Sequence, residues 1–406
     1  MSTVHTAPDR EFTPRRRLRV AAPMQMIPPV GLCAVAIAVA VDSTTRVGMG
    51  AISVSGAVSL GLMIAMLGLS PLTAGIRALP SLLSLFFVYA AVRLVLTPTT
   101  DGLQNVAVIT MFCLGIGFAA RDSNIETAGQ VLRAFTWVAV MTSAVFLLSS
   151  VAGAPLYGTR SFALTALVLL AATVALPMTD PLSRFAPFII VGAIVMSLSR
   201  TASVISVLVL VGLVVRMRRG ARSIAAVAGA LVAAGSIWIL MTSFAPLRDR
   251  FLVGDNAASV GGMALNTSGR SALWAAMLDS AAERPLFGKG PGSSVAMITA
   301  RFGRISQPHN DYLRVLHDYG WIGLVLFSLG CLVLVVRLVI RAAREDHPIH
   351  WAALISILAV LVAAATDNVI VYPFVMLPLA VLVGMSLGLS APPPTRPTRC
   401  ADGGRR

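Results

Sequence analysis

Apolar runs of membrane-spanning length, set almost end to end, constrain this chain more than any motif in it. A helix needs about 20 apolar residues to cross a bilayer, and somewhat fewer when neighbouring helices cover its ends. Such runs fall at Val30–Val41 (a short one), Met49–Leu69, Leu79–Leu96, Asn105–Ala120, Val131–Val151 and Phe162–Leu176. They continue at Phe185–Leu198, Ala202–Val215, Ser223–Thr242, Trp321–Ile340, Trp351–Ala365 and Val369–Leu389. Only 12% of the residues are charged and 57% are hydrophobic. A soluble domain carries about 25% charged residues, so length here counts spans and not soluble domains. The fold class that follows is an all-α polytopic membrane protein with about 12 transmembrane helices.

The formal charge of +15 resembles a nucleic-acid signal until the basic residues are sorted by position. Cytoplasmic loops of membrane proteins collect Lys and Arg. With residues 1–27 (polar, basic, interrupted by proline and without a signal-peptide pattern) as a cytoplasmic tail, alternate loops hold Arg77, Arg121 and Arg133, Arg184, the group Arg216 to Arg222, and Arg337 to Arg344. The Pro- and Arg-rich tail 391–406, read as disordered, adds four more. Twenty of the 32 basic residues then lie inside, and the short outer loops hold only Arg46, Arg93, Arg160 and Arg200. Both termini are expected in the cytoplasm and nucleic acid is excluded as a partner; the bilayer itself is the first partner. Cys33, Cys113, Cys331 and Cys400 have no C-x-x-C spacing and suggest neither a disulfide frame nor a zinc site.

Residues 28–242 thus form an N-terminal bundle of about nine helices, and 321–390 the C-terminal helices. Between them lies one long polar insert, 243–320, extracytoplasmic in this topology. It holds eight basic and six acidic residues, so it is no polyanion patch. Ser268 can cap a helix running to about Glu283, with Pro285 past its end. Leu273, Trp274, Met277 and Leu278 make an apolar stripe on it, for the membrane surface or the bundle top. Gly288 to Gly292 must turn, and a second helix starts near Pro308 or His309 and stops at Gly320. His309 then stands at the outer mouth of the bundle.

Ionisable groups at membrane depth are costly and read as functional candidates. Arg200, in Ser-Leu-Ser-Arg-Thr between two apolar runs, is either an arginine snorkelling to headgroups at a tight turn or an anion ligand facing a cavity. Arg270 opens the insert helix, where backbone N–H groups also favour an anion; alone it reads equally as a solvated loop arginine. Lys289, the only lysine, can reach a phosphate, but its turn lacks the G-K-[ST] ending of a phosphate-binding loop. His309 is either structural or a general base with an unperturbed pKa near 6.5. His317 reads as structural. No His, Asp or Glu spacing suits a metal, and no cofactor is expected.

His309-Asn310, nine residues, then Gly320-Trp321-Ile322-Gly323-Leu324 resembles the HN-x9-GxxGL signature of the O-antigen ligase family. Ser268-Gly269-Arg270 with Trp274, followed by Pro285-Leu286-Phe287-Gly288-Lys289-Gly290, is similar to that family's GR-xxx-W and P-xx-G-x-G pattern. Ser199-Arg200-Thr201 resembles its SR-T element. The resemblance implies a GT-C-like, metal-independent, inverting glycosyltransferase of the inner membrane. Such an enzyme moves a glycan from undecaprenyl pyrophosphate to an acceptor hydroxyl of a lipid or glycan. Carried over residue by residue, His309 becomes the catalytic base, Arg200 and Arg270 (with Lys289) the pyrophosphate ligands, and Asn310, Trp274, Gly320 and Gly323 their support. Arginine suits phosphate through its bidentate fork. A polysaccharide polymerase of the same superfamily stays open. A lipid-linked glycan transporter also fits the span count, but it would carry ionisable groups at mid-membrane and repeated halves. Outward-facing Asp42, Asp101, Arg93, Tyr157 and Arg160 are candidates for an acceptor path, unranked by sequence.

Overall fold

The computed structural model describes residues 72–121, 123–153, 157–177, 181–217, 270–303, 307–345 and 347–389, with a few short pieces outside them. The helices are α1 (Leu72–Ala78), α2 (Ser81–Leu96), α3 (Thr100–Arg121), α4 (Ile125–Val151), α5 (Thr159–Ala175), α6 (Pro181–Met196) and α7 (Arg200–Met217). After the start of the insert come α8 (Arg270–Ala282), α9 (Ser293–Phe302), α10 (Asp311–Glu345), α11 (Pro348–Ala364) and α12 (Pro373–Gly388). Among the described residues the only strands are two small antiparallel pairs, β1 (Gly48–Met49) with β2 (Ile52–Ser53) and β3 (Ala258–Val260) with β4 (Met263–Leu265). The expected span at Met49–Leu69 therefore does not begin as helix, in keeping with the low helix propensity of Gly48 and Gly50. The expected span Val30–Val41 lies outside the described residues, as do Ser268, Gly269 and all of Ser223–Thr242 but Gly235 and Ile239.

Among the described residues three helices, α3, α4 and α10, are long and apolar enough to cross a membrane. Six shorter apolar helices (α2, α5, α11, α12 and most of α6 and α7) pack with them. This is a polytopic membrane protein. Helices of 16 or 17 residues reach only about 24–26 Å at 1.5 Å per residue, a little short of the hydrocarbon core. The centre of the bundle is α5: every residue from Phe162 to Ala175 is buried, enclosed by α4, α6, α7, α11 and α12. A helix that is apolar all round belongs inside, and this one is. By contrast α10 leaves Trp321, Val325, Leu329, Leu332 and Val336 exposed, an apolar stripe that only lipid or another apolar surface can cover.

The insert is held to the bundle by a clasp that joins two of the sequence motifs. α10 is broken at Gly320, whose φ of 68° and ψ of −170° are not helical. A break in a helix strands carbonyls on one side and amides on the other. The turn 285–290 meets both sets. Lys289 and Gly290 donate their N–H groups to the carbonyls of His317 and Asp318 (2.9 Å each), while Trp321 and Ile322 donate to the carbonyls of Pro285 and Leu286 (2.8 and 3.2 Å). Only glycine serves at 320, because a Cβ there would lie 2.3 Å from the Leu286 carbonyl oxygen, at a left-handed φ. Gly323 lies one turn on, against Tyr319 and Tyr89.

Two expectations for the insert need correction. α10 begins at Asp311, so His309 stands in the loop before it and not on its face. Asn310 makes the start, its Oδ1 accepting the Leu313 N–H at 3.1 Å. On α8 the buried face runs through Leu273, Ala276, Met277, Ser280 and Ala281, and Leu278 is 49% exposed. The helix packs on α9 and α10, and that contact, not the apolar stripe alone, selects its buried side.

Candidate functional site

Four segments far apart in sequence meet at the loop between α11 and α12. That loop carries Thr366, Asp367 and Asn368, the last two buried. α7 begins at Arg200, after a turn in which Leu198 takes a positive φ of 57°. Its next residue, Thr201, places its hydroxyl 2.7 Å from that of Thr366. Arg270, the first residue of α8, donates from a terminal nitrogen to the Thr366 carbonyl. Arg160, the second residue of α5, sets its Nε 3.3 Å from an Asp367 carboxylate oxygen.

His309 completes the group. Its φ of 54° is left-handed, a conformation that costs a non-glycine residue energy and persists only where its surroundings hold it. The hold is visible. The His309 N–H donates to Asn368 Oδ1 at 2.9 Å, and Trp274 Nε1 donates to the Pro308 carbonyl at 3.0 Å. Beneath the loop, buried Asp311 accepts the N–H groups of Val369 and Ile370 (2.6 and 2.9 Å) and the Nε of Arg314 (3.2 Å). Arg314 in turn donates to Gln307 Oε1 (2.6 Å) and to Asn368 Oδ1 (2.9 Å). The Asp311–Arg314 pair thus ties the two site loops together.

The imidazole faces a specific set of partners. Arg160 stands 3.1 Å and Asn368 Nδ2 3.0 Å from His309 Nδ1. The nearest Asp367 oxygen is 3.7 Å from the same nitrogen, beyond hydrogen-bond length. Among the described groups none is hydrogen-bonded to Nε2.

Charge and burial set the acidities. Burial pulls the His309 pKa below the usual histidine value; the approach of Asp367 opposes this, and the charges of Arg160 and Arg270 add to it. Burial alone would raise the Asp367 pKa, yet His309, Arg160, the Asn368 amide and Arg270 together hold it below the ordinary carboxylate range. Burial and the neighbouring Arg160 bring the Arg270 guanidinium down to about 10, with Asp367 opposing and Arg200 adding to the fall. Arg270 is therefore still a cation at neutral pH, and Arg160, Arg200 and Arg270 are close enough to feel one another. Arg160 and Arg270 on one carboxylate, with Arg200 close enough to act on Arg270, leave an excess of positive charge, which suits an anion.

Of the residues expected from sequence, Arg200, Arg270, His309 and Trp274 come together here, with Asn310 and Gly320 shaping the loops. Lys289 does not join them. Its ammonium pairs with Glu283 at 2.9 Å and donates to Ser280 Oγ at 2.8 Å. His317, fully buried, lies between Ser280 and Ser293, away from His309 and its partners. Asp318 beside it caps α9, accepting the N–H groups of Gly292 and Ser294 at 2.9 and 2.8 Å. Three site residues escaped the sequence reading: Asp367, Asn368 and Arg314. The signal for the first two was the Thr366-Asp367-Asn368 interruption between two apolar runs, where polar groups are costly unless used. No cluster of three or more metal-binding side chains occurs among the described residues.

No curated protein matches the chain at a significant level. Residues 185–328 match the family model described as O-antigen ligase. That segment holds Arg200, Arg270, His309 and the Gly320 clasp, and in it the chain is similar to the O-antigen ligase family.

Proposed function

We propose that this protein transfers a glycan from a polyprenyl pyrophosphate, undecaprenyl pyrophosphate by family resemblance, to an acceptor hydroxyl on the extracytoplasmic face of the inner membrane. Arg270 and Arg200 bind the pyrophosphate and stabilise the charge that grows on it as the anomeric bond breaks. His309 takes the acceptor proton at Nε2. The acceptor oxygen forms the new bond to the anomeric carbon, the bond to the phosphate oxygen breaks with its electron pair, and direct displacement inverts the centre. Asn368, Asp367, Trp274 and Arg314 position the base. Lys289, committed to Glu283 and Ser280, is left out of the phosphate site. The reading takes the bundle as GT-C-like with about 12 spans, both termini cytoplasmic and the insert 243–320 outside.

One observation supports it: His309, Arg160 and Arg270 converge on the 366–368 loop from separate elements, and among the described groups none is bonded to His309 Nε2. The test is to follow donor consumption, carrier release and product size by mass spectrometry in membranes holding the parent, Arg270→Ala or His309→Ala. Carrier released by the parent, with both variants inserted and inactive, supports the transferase. Product size then separates a ligase, which passes on a finished chain, from a polymerase. Movement of intact donor across the bilayer with no carrier released would overturn the reading in favour of a transporter.

A further inference from the structure

We infer that Arg160 is a donor-sensitive latch on the catalytic histidine, holding it in the tautomer that cannot act as a base until pyrophosphate draws the arginine away. The inference rests on the transferase reading but begins with hydrogen-bond directions. An arginine N–H can only donate, so Arg160 at 3.1 Å requires a lone pair on His309 Nδ1. Asn368 asks for the same. Its Oδ1 accepts both the His309 N–H and Arg314, at 2.9 Å each, which fixes the amide so that Nδ2 is the edge facing Nδ1. Two donors share that one lone pair. The proton of neutral His309 therefore sits on Nε2, the nitrogen that faces the reactants. In this form Nε2 donates to an acceptor hydroxyl and cannot deprotonate it.

The partner for the other tautomer is in place but engaged. Asp367 holds one oxygen 3.7 Å from Nδ1, a few tenths of an ångström beyond a hydrogen bond, and its other oxygen 3.3 Å from Arg160 Nε. Arg160 thus occupies both groups that would form an Asp–His pair. Unlike Asp367, with a side chain 3% exposed, the Arg160 side chain is 42% exposed and free to swing. A pyrophosphate held by Arg270 and Arg200 offers it a doubly charged partner. When Arg160 turns to that anion, the His309 ring rotates about Cβ–Cγ so that Nδ1 leaves Asn368 Nδ2 and meets the Asp367 carboxylate. The proton leaves Nε2 to solvent and another is taken up at Nδ1, with no net change in charge, and the Nε2 lone pair is exposed to the acceptor. Donor would then bind before acceptor activation, and the base stays disarmed while no glycan is loaded. Arg160 in this scheme is a positioning residue that acts through His309.

The test reads the histidine directly. Nitrogen-15 spectra of ring-labelled protein in nanodiscs, with His309→Gln to assign the signal, report which nitrogen carries the proton, and inorganic pyrophosphate serves as the probe. The parent without pyrophosphate is expected in the Nε2–H form and, with it, in the Nδ1–H form. Arg160→Ala is expected in the Nδ1–H form from the start, with pyrophosphate affinity about tenfold lower, the loss of roughly one charged contact. Arg160→Lys, which keeps a cation, controls for folding and is expected to retain part of the switch. An Nδ1–H parent before any addition, or an Arg160→Ala protein still in the Nε2–H form, overturns the latch. If pyrophosphate fails to bind the parent, the transferase reading falls, while the comparison of parent and Arg160→Ala without ligand still decides the latch.

Discussion

Asn368 grips His309 at two points, taking its backbone N–H on Oδ1 at 2.9 Å and facing its Nδ1 with Nδ2 at 3.0 Å. One amide thereby fixes both the left-handed backbone of the histidine and the direction of its ring. Replacing it by alanine removes both holds together. A reacting group misplaced by about 1 Å costs on the order of 10²-fold in rate, so Asn368→Ala is expected to lower kcat by about that factor and leave the donor KM within a few-fold. Steady-state kinetics with lipid-linked donor checks this. A large KM effect with kcat intact would refute the positioning role.

The pH dependence follows from the charges around the ring. Arg160, Asp367 and Arg270 all face His309, with Arg200 beyond them. A base works when deprotonated, so activity is present above its pKa and lost as pH falls through it. Because the His309 pKa is depressed, the acid limb of kcat/KM should lie below the free-histidine value of about 6.5. Arg270→Gln removes a positive charge and should move the limb to higher pH; Asp367→Asn removes the opposing negative charge and should move it lower. A limb unmoved by either change would argue against His309 as the titrating group.

Donor binding has its own pH limit. With the Arg270 guanidinium brought down to about 10, donor affinity should hold through neutral pH and fall as pH rises through about 10. Arg270→Lys should not restore full affinity, since an ammonium cannot match the planar fork that reaches the Thr366 carbonyl and a phosphate together. Titration with pyrophosphate across alkaline pH measures both.

The clasp predicts a sharp contrast between two glycines. Gly320→Ala forces a left-handed backbone on alanine, costing about 1–2 kcal/mol, and drives a Cβ to 2.3 Å from the Leu286 carbonyl. Gly129, within α4, has nothing within 4 Å of the same added atom, and alanine there should be neutral or stabilising by about 0.5–1 kcal/mol. Thermal unfolding in detergent should show a marked drop for Gly320→Ala and none for Gly129→Ala. An equal response would mean the break at Gly320 is not a structural requirement.

The Asp311–Arg314 pair should behave as one unit. Either single change, Asp311→Asn or Arg314→Met, unpairs a buried charge, at about 3–5 kcal/mol. The double variant is expected to lose less than the two singles added together. Thermal shift measurements on all three decide it, and strict additivity would show that the pair is not coupled.

Much of this protein was already present in the order of its residues. The apolar runs at 79–96, 105–120, 131–151, 162–176 and 351–365 became helices that end within three residues of, and start up to six residues before or two after, their expected bounds, because each run is long enough to demand burial. Glycine and proline likewise marked the turn 288–292 and the break at 320, since few other residues tolerate those backbones. Residue chemistry also singled out Arg200, Arg270 and His309, as costly or reactive side chains in an apolar chain. Three-dimensional packing alone decided which loop ends meet. Arg160 and His309, 149 residues apart, and Thr201 and Thr366, 165 apart, share no local pattern. Hydrophobic periodicity reports which side of a helix is buried, but it is blind to which helix lies beside it. For the same reason Lys289 read as a phosphate ligand until packing placed it against Glu283, and the Asp367-Asn368 gap between two apolar runs gave no sign of the elements that close upon it.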